Sequence, residues 1–158
     1  MAYGSLRRDW AGFLLYFRVT RIGLVSRSLG EWAAMALEFQ GGRGTGWCAP
    51  IGRITIFVDD RDGRPDPAQV AFADRLANVP EIIEKQAAQY LDMFVDRARA
   101  CGNANEPWWF EDIELRHLEL GTCHLAFTLD GDDGGLWTVE MVERHETLWP
   151  VRIERRKG

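Results

Sequence analysis

Two proline-led helix starts stand back to back in the middle of the chain, with β-type sequence on both sides. Asp66-Pro67-Ala68-Gln69 sets an acid at the N-cap, proline at the first helical position and glutamine at the third, a capping-box pattern. Val70, Ala73, Leu76 and Ala77 follow at helical spacing. Asn78-Val79-Pro80-Glu81 is a second start of the same type. It opens a stripe of Ile83, Ala87, Tyr90, Leu91, Phe94 and Ala98, with Arg97 and Arg99 in the last turn and Gly102 as the C′ residue. The break at 78–80 predicts two helices meeting at an angle.

The flanks read as strands. Residues 12–20 are rich in aromatic and branched side chains, and 31–39 alternate at period two, although Ala and Met make a helix a competitor there. A glycine-rich loop, 41–46, follows. In 53–59, Ile54, Ile56 and Val58 take one face and Thr55 and Phe57 the other. After the helices, 112–120, 123–129, 136–142 and 151–155 are four strand candidates, and the Asp130–Gly135 loop has the chemistry of a hairpin turn. Strands, helices, strands is the order of an α+β fold. The expectation is an antiparallel sheet packed against two central helices, without alternating βαβ units.

At 158 residues the chain fits one domain, 1–158, and needs no disulfide or metal to hold its core. The longest apolar run, Phe13 to Phe17, is far short of the ~20 residues that span a bilayer. The N-terminus has no secretory pattern, and the odd set Cys48, Cys101 and Cys123 lacks metal or redox spacing. Together these predict a cytoplasmic protein that spans no membrane. Residues 1–55 carry seven arginines against Asp9, Glu31 and Glu38, a net +4, whereas 104–147 carry a net −9. A field of the second sign repels phosphate, so nucleic acid is not an expected partner; a basic protein surface is.

The motifs of catalysis and metal binding are not found. Cys123 and His124 are neighbours on one strand and point to opposite faces. Asp60-Arg61-Asp62-Gly63 resembles part of a calcium loop, but Val58 and Gln69 fall where oxygen ligands belong. The 41–46 loop lacks the phosphate-loop lysine and precedes a strand, not a helix. Ser5, Ser26 and Ser28 lie in no nucleophile elbow. The expectation is therefore no catalytic residue, no metal and no cofactor.

What stands out is seven tryptophans in a partly acidic chain. Trp108 and Trp109, adjacent on a strand, point opposite ways, so one of them is available as an interface anchor. The expected partner-binding region is Trp108, Trp109, Glu111, Asp112, Asp130, Asp132, Asp133, Glu143 and Glu146.

Residues 50–142 carry a resemblance. The strand 52–58 ending in Asp59-Asp60-Arg61-Asp62-Gly63, the helix opened by Pro67-Ala68-Gln69-Val70-Ala71-Phe72 and closed by Leu76-Ala77-Asn78, and a second helix ending in aromatics resemble a family of small bacterial domains found beside polymorphic-toxin genes. The hairpin from His124 to Met141 resembles that family's closing strands, except that Asp130–Gly135 replaces a Trp-Asp-x-Glu-His-Gly type turn. The resemblance implies an immunity protein. Such a protein binds a cognate effector toxin, one with a basic cleft in this case, and blocks its active site without chemistry of its own. The alternative is a small-molecule enzyme or ligand-binding domain, its site between sheet and helices near Cys48, His117 or His145.

Overall fold

A computed structural model describes residues 37–42, 46–133 and 135–157. They all lie within one compact unit, Met35–Gly158. The strand readings at 12–20 and 31–36 lie outside the described residues, and 37–39 have no regular structure.

The elements run β1 (Gln40–Gly42), β2 (Gly46–Ile51), β3 (Ile54–Val58), β4 (Asp60–Arg61), β5 (Arg64–Pro65), α1 (Pro67–Ala77), α2 (Pro80–Phe94), α3 (Arg97–Cys101), β6 (Trp109–Glu114), β7 (Thr122–Thr128), β8 (Gly135–Arg144) and β9 (Thr147–Lys157). The fold is mixed α/β and mostly strand. Seven strands form one sheet in the order β1-β2-β3-β6-β7-β8-β9, and β4-β5 is a separate hairpin.

The sheet is not wholly antiparallel. Strand β3 pairs β6 in parallel, with Thr55 opposite Asp112 and Ile56 opposite Ile113. The cause is the helical block itself. A crossover through three helices can return the chain in its original direction, which a tight hairpin cannot. One βαβ crossover therefore sits inside an otherwise antiparallel sheet.

Alternation along the strands decides which face is apolar. Ile54, Ile56 and Val58 of β3, Ile113 of β6, Cys123, Leu125 and Phe127 of β7, and Val139 and Met141 of β8 all belong to the buried core. The helices add Phe72, Ala73 and Leu76 from α1 and Ile83, Ala87 and Leu91 from α2 to the same cluster. Helix α1 contacts β3, and α2 contacts β8 and β9. Each large side chain buried here contributes roughly 1.5–3 kcal/mol. Among the described residues, no helix is long and apolar enough to cross a membrane.

The helix starts form with one change of role. Asp66 is the N-cap of α1, its carboxylate accepting from the N–H groups of Ala68 (2.8 Å) and Gln69 (3.1 Å). Gln69 does not reach back to the cap, because the Asp66 N–H already donates to the Asp59 carbonyl. Asn78 ends α1 instead of starting α2, and its amide donates to the Asp74 carbonyl. The single stripe expected through Ala98 is cut at Val95, which is extended, and Asp96 caps the separate short helix α3. Gly102 closes α3 in the left-handed conformation, as its position predicts.

The β8–β9 hairpin turns through His145 (φ 51°) and Glu146 (φ 62°). Two positive φ values in a two-residue loop define a type I′ turn, for which Asn-Gly is the favoured pair. His145→Asn with Glu146→Gly is expected to raise stability by about 1 kcal/mol, seen as a higher denaturation midpoint. An unchanged or lower midpoint contradicts the strain.

Candidate partner-binding surface

The nine expected contact residues do not form one patch. Strand β8 spans ten residues, so its two ends lie about 30 Å apart. Asp130, Asp132 and Asp133 are at the turn entering β8; Glu143 and Glu146 are at the other end. The faces differ as well.

Trp108 belongs to the core, at 8% exposure. Its ring meets Phe127 and Trp137 edge-on, and its indole N–H donates to Asp92 (2.8 Å). Phe110 stacks on Phe127, completing an aromatic cluster at that end of the helix-side face. Trp108 is thus a packing residue and leaves the contact set. Glu143 lies on the helix side too, where Arg75 of α1 holds it at 3.0 Å.

Asp132 is the clearest departure. Its side chain is only 2% exposed. It accepts from the Trp137 indole N–H (2.8 Å) and pairs with Arg155 of β9. The Arg155 guanidinium in turn lies over the Trp137 ring, 5.1 Å from its centre. A Cβ at Gly135 would collide with this carboxylate, which is why glycine stands there. The carboxylate reads as solvated in sequence because turn acids usually are; here it is the latch that closes the turn onto β9.

Four expected residues lie at one end of the sheet. Trp109 is half-buried and pairs with Thr128, whose hydroxyl donates to the exposed Glu111 (2.6 Å). Thr128 leads into the turn that carries exposed Asp130 and Asp133. Glu111, Asp130 and Asp133 are thus three accessible acids at this end of the sheet, with the buried Asp132 latch between the last two. The β9 side of the same end carries Arg155 and Arg156. The strongly acidic 104–147 segment is thus flanked in space by cations that follow it in sequence.

Asp112 lies next along β6, on the sheet face away from the helices, where Ala126 and Thr138 are also buried. Burial, then the Glu114 and Glu111 charges, push its carboxyl up from 3.8 to about 7, with Arg116 and Arg156 opposing. The folded chain holds this proton more tightly than the unfolded chain between those values. Stability therefore falls as pH rises through that window. Asp112 retains some contact with water, which screens the charge. Asp112→Asn is expected to stabilise by about 1–2 kcal/mol at pH 8 and by less at pH 5. Urea unfolding at the two pH values checks this; equal gains at both contradict it.

Farther along the same face is a group that no sequence motif marks. His124 of β7, Glu140 of β8 and Arg152 of β9 form one cross-strand row. Arg152 Nε lies 2.9 Å from Glu140, whose carboxylate is 3.8 Å from His124 Nε2. Burial lowers the His124 pKa, partly offset by Glu140. With His117, Leu118, Glu119 and Thr122 they line a cleft of about 250 Å³. His117 projects into solvent, its side chain 90% exposed and 3.4 Å from Asp59. Trp149, 55% exposed on β9, is likewise outside the expected set. Only the strand pairing reveals these groups, since their members lie far apart in sequence.

Among the described residues, no group of three or more His, Cys, Asp or Glu side chains is arranged to hold a metal. No family model matches the chain, and no curated protein or solved structure matches it.

Proposed function

We propose that the chain is an immunity-type protein that binds a cognate bacterial effector toxin in the cytoplasm and occludes its active site without catalysis. The observation that carries the reading is the exposed pair Asp130 and Asp133 on a turn held by the Asp132 latch, at the end of the sheet where Trp109 and the exposed Glu111 begin β6. A fixed acidic projection beside an aromatic anchor complements a basic cleft, and its preorganisation lowers the ordering cost of binding. The family resemblance over 50–142 supports the same reading. In it, α1 and α2 cover one face of the sheet in an α+β arrangement, and the turn end meets the toxin.

The test is co-expression with the product of the adjacent upstream gene. Growth arrest by that product, relieved by this chain through a stable complex, is the expected result. A harmless neighbour, or toxicity unaffected by the chain, overturns the proposal. Within a complex, Asp130→Lys with Asp133→Lys should slow association about tenfold at low salt and flatten its salt dependence. Glu146→Lys, at the opposite end of β8, should leave the rate unchanged. Equal rates for the turn variant and the wild type remove the turn from the contact.

The cleft at His117, His124, Glu140 and Arg152 favours a second reading, a small polar ligand bound on the sheet. Shifts of the His124 ring signals with a candidate metabolite, absent with the toxin, would select it.

A further inference from the structure

Strand β9 is the eleven-residue edge of the sheet. Among the described residues, nothing pairs with its outer side. Trp149 and Val151 on it are 55% and 39% exposed. Its charged side chains are exposed too: Arg152 58%, Glu154 38% and Arg156 60%.

Long edges of this kind are normally guarded. Here the guard is local. Glu140 pairs with Arg152 but Met141 pairs with Pro150, so Val151 is the extra residue of a bulge. Pro150 also lacks an N–H to offer. Both devices lie in the first half of the strand. From Arg152 onward the ladder to β8 is regular through Lys157.

The remaining protection is charge, and the charge is self-complementary. In an antiparallel pair, residues directly opposite share a face. Centring two copies on Ile153 sets Arg152 opposite the partner copy's Glu154, twice by symmetry, and sets Val151 opposite the partner copy's Arg155. Other centres fail. Arg152 at the centre faces itself. Glu154 at the centre faces itself and sets Arg152 against Arg156. Arg155 at the centre faces itself. Among centres from Arg152 onward, past the bulge and the proline, this register alone avoids like charges, and it matches opposite ones at both symmetry-related positions.

We infer that β9 is a homodimerisation edge, joining a second copy of this chain by antiparallel pairing about Ile153 into one continuous sheet. The paired segment is short, which places the interface at the small, reversible end of the range. The dimer is therefore concentration-dependent.

The experiment is sedimentation velocity on the full chain over a wide concentration series, with circular dichroism to verify folding. Wild type should shift from monomer to dimer. Arg152→Glu and Glu154→Arg should each weaken dimerisation roughly tenfold or more, because each sets two like-charge pairs together. Their equimolar mixture should recover a heterodimer. In it the glutamate introduced in one variant meets the arginine introduced in the other, and the unaltered Glu154 meets the unaltered Arg152. A wild type that stays monomeric throughout overturns the inference. So does a dimer that the single variants retain, or a mixture of folded variants that fails to associate. Toxin binding is not read in this experiment, so its outcome is independent of the proposed function.

Discussion

Gln69→Leu is expected to cost about 3–4 kcal/mol. Gln69 is 9% exposed, on the core side of α1. Its carbonyl oxygen accepts from the Asp59 N–H (2.6 Å), and its amide donates to the Asp59 carboxylate (2.9 Å) and the Leu115 carbonyl (3.0 Å). Three elements meet there: the end of β3, the start of α1 and the exit of β6. The same Asp59 carboxylate accepts from the His117 N–H (2.9 Å). Leucine keeps most of the volume, so the loss reports the polar contacts and not a cavity. Each neutral bond contributes about 1 kcal/mol, the bond to the carboxylate about 1.5–3, and the Asp59 N–H left without its acceptor adds a desolvation cost. Urea unfolding should show a lower midpoint with unchanged slope. A change within about 0.5 kcal/mol would mean that water replaces the glutamine without penalty.

That junction also marks what the sequence could reveal. The alternation of Ile54, Ile56 and Val58 is legible because one sheet face is buried and the period of a strand is two. The Asp66-Pro67 start is legible because its hydrogen bonds are local. Gln69 looks like part of that local pattern. Its partner Leu115 is 46 positions away, and no short window contains it. The parallel pairing of β3 with β6 is hidden for a similar reason, since strand direction depends on the crossover and not on the alternation.

Charge is the least transferable reading. Counting along the chain isolates 104–147 as acidic, yet β9 pairs along the whole of β8 and lays Arg152, Arg155 and Arg156 beside those acids. Glu140 meets Arg152 and Asp132 meets Arg155. What survives as accessible acid at the Trp109 end of the sheet is Glu111, Asp130 and Asp133. Of the expected contact residues, Trp108 fails for a different reason. Adjacent tryptophans do point opposite ways, but the choice of which faces the core is made by Phe127 and Trp137 from other strands.

Asp132→Ala should be the second large loss, about 3–5 kcal/mol, because two donors lose one charged acceptor together and each hydrogen bond to a charged group contributes about 1.5–3 kcal/mol. The Trp137 indole N–H is left without its carboxylate, and Arg155 is left over an aromatic ring with no counter-ion. Arg155→Ala should cost less, because its guanidinium is 40% exposed and Asp132 keeps the indole bond. Asp132→Asn should fall between, retaining an acceptor for the indole while losing the charge. The double variant Asp132→Ala with Arg155→Ala should cost less than the sum of the single losses, since each removes what the other would strand. A double-mutant cycle by chemical denaturation measures that coupling. Additive losses would show that the latch does not act as a unit. The same geometry dictates how the proposed binding surface is probed. Reversing Asp132 would unfold the turn whatever a partner touches, so steering by charge at this turn is tested at Asp130 and Asp133, where the turn remains latched.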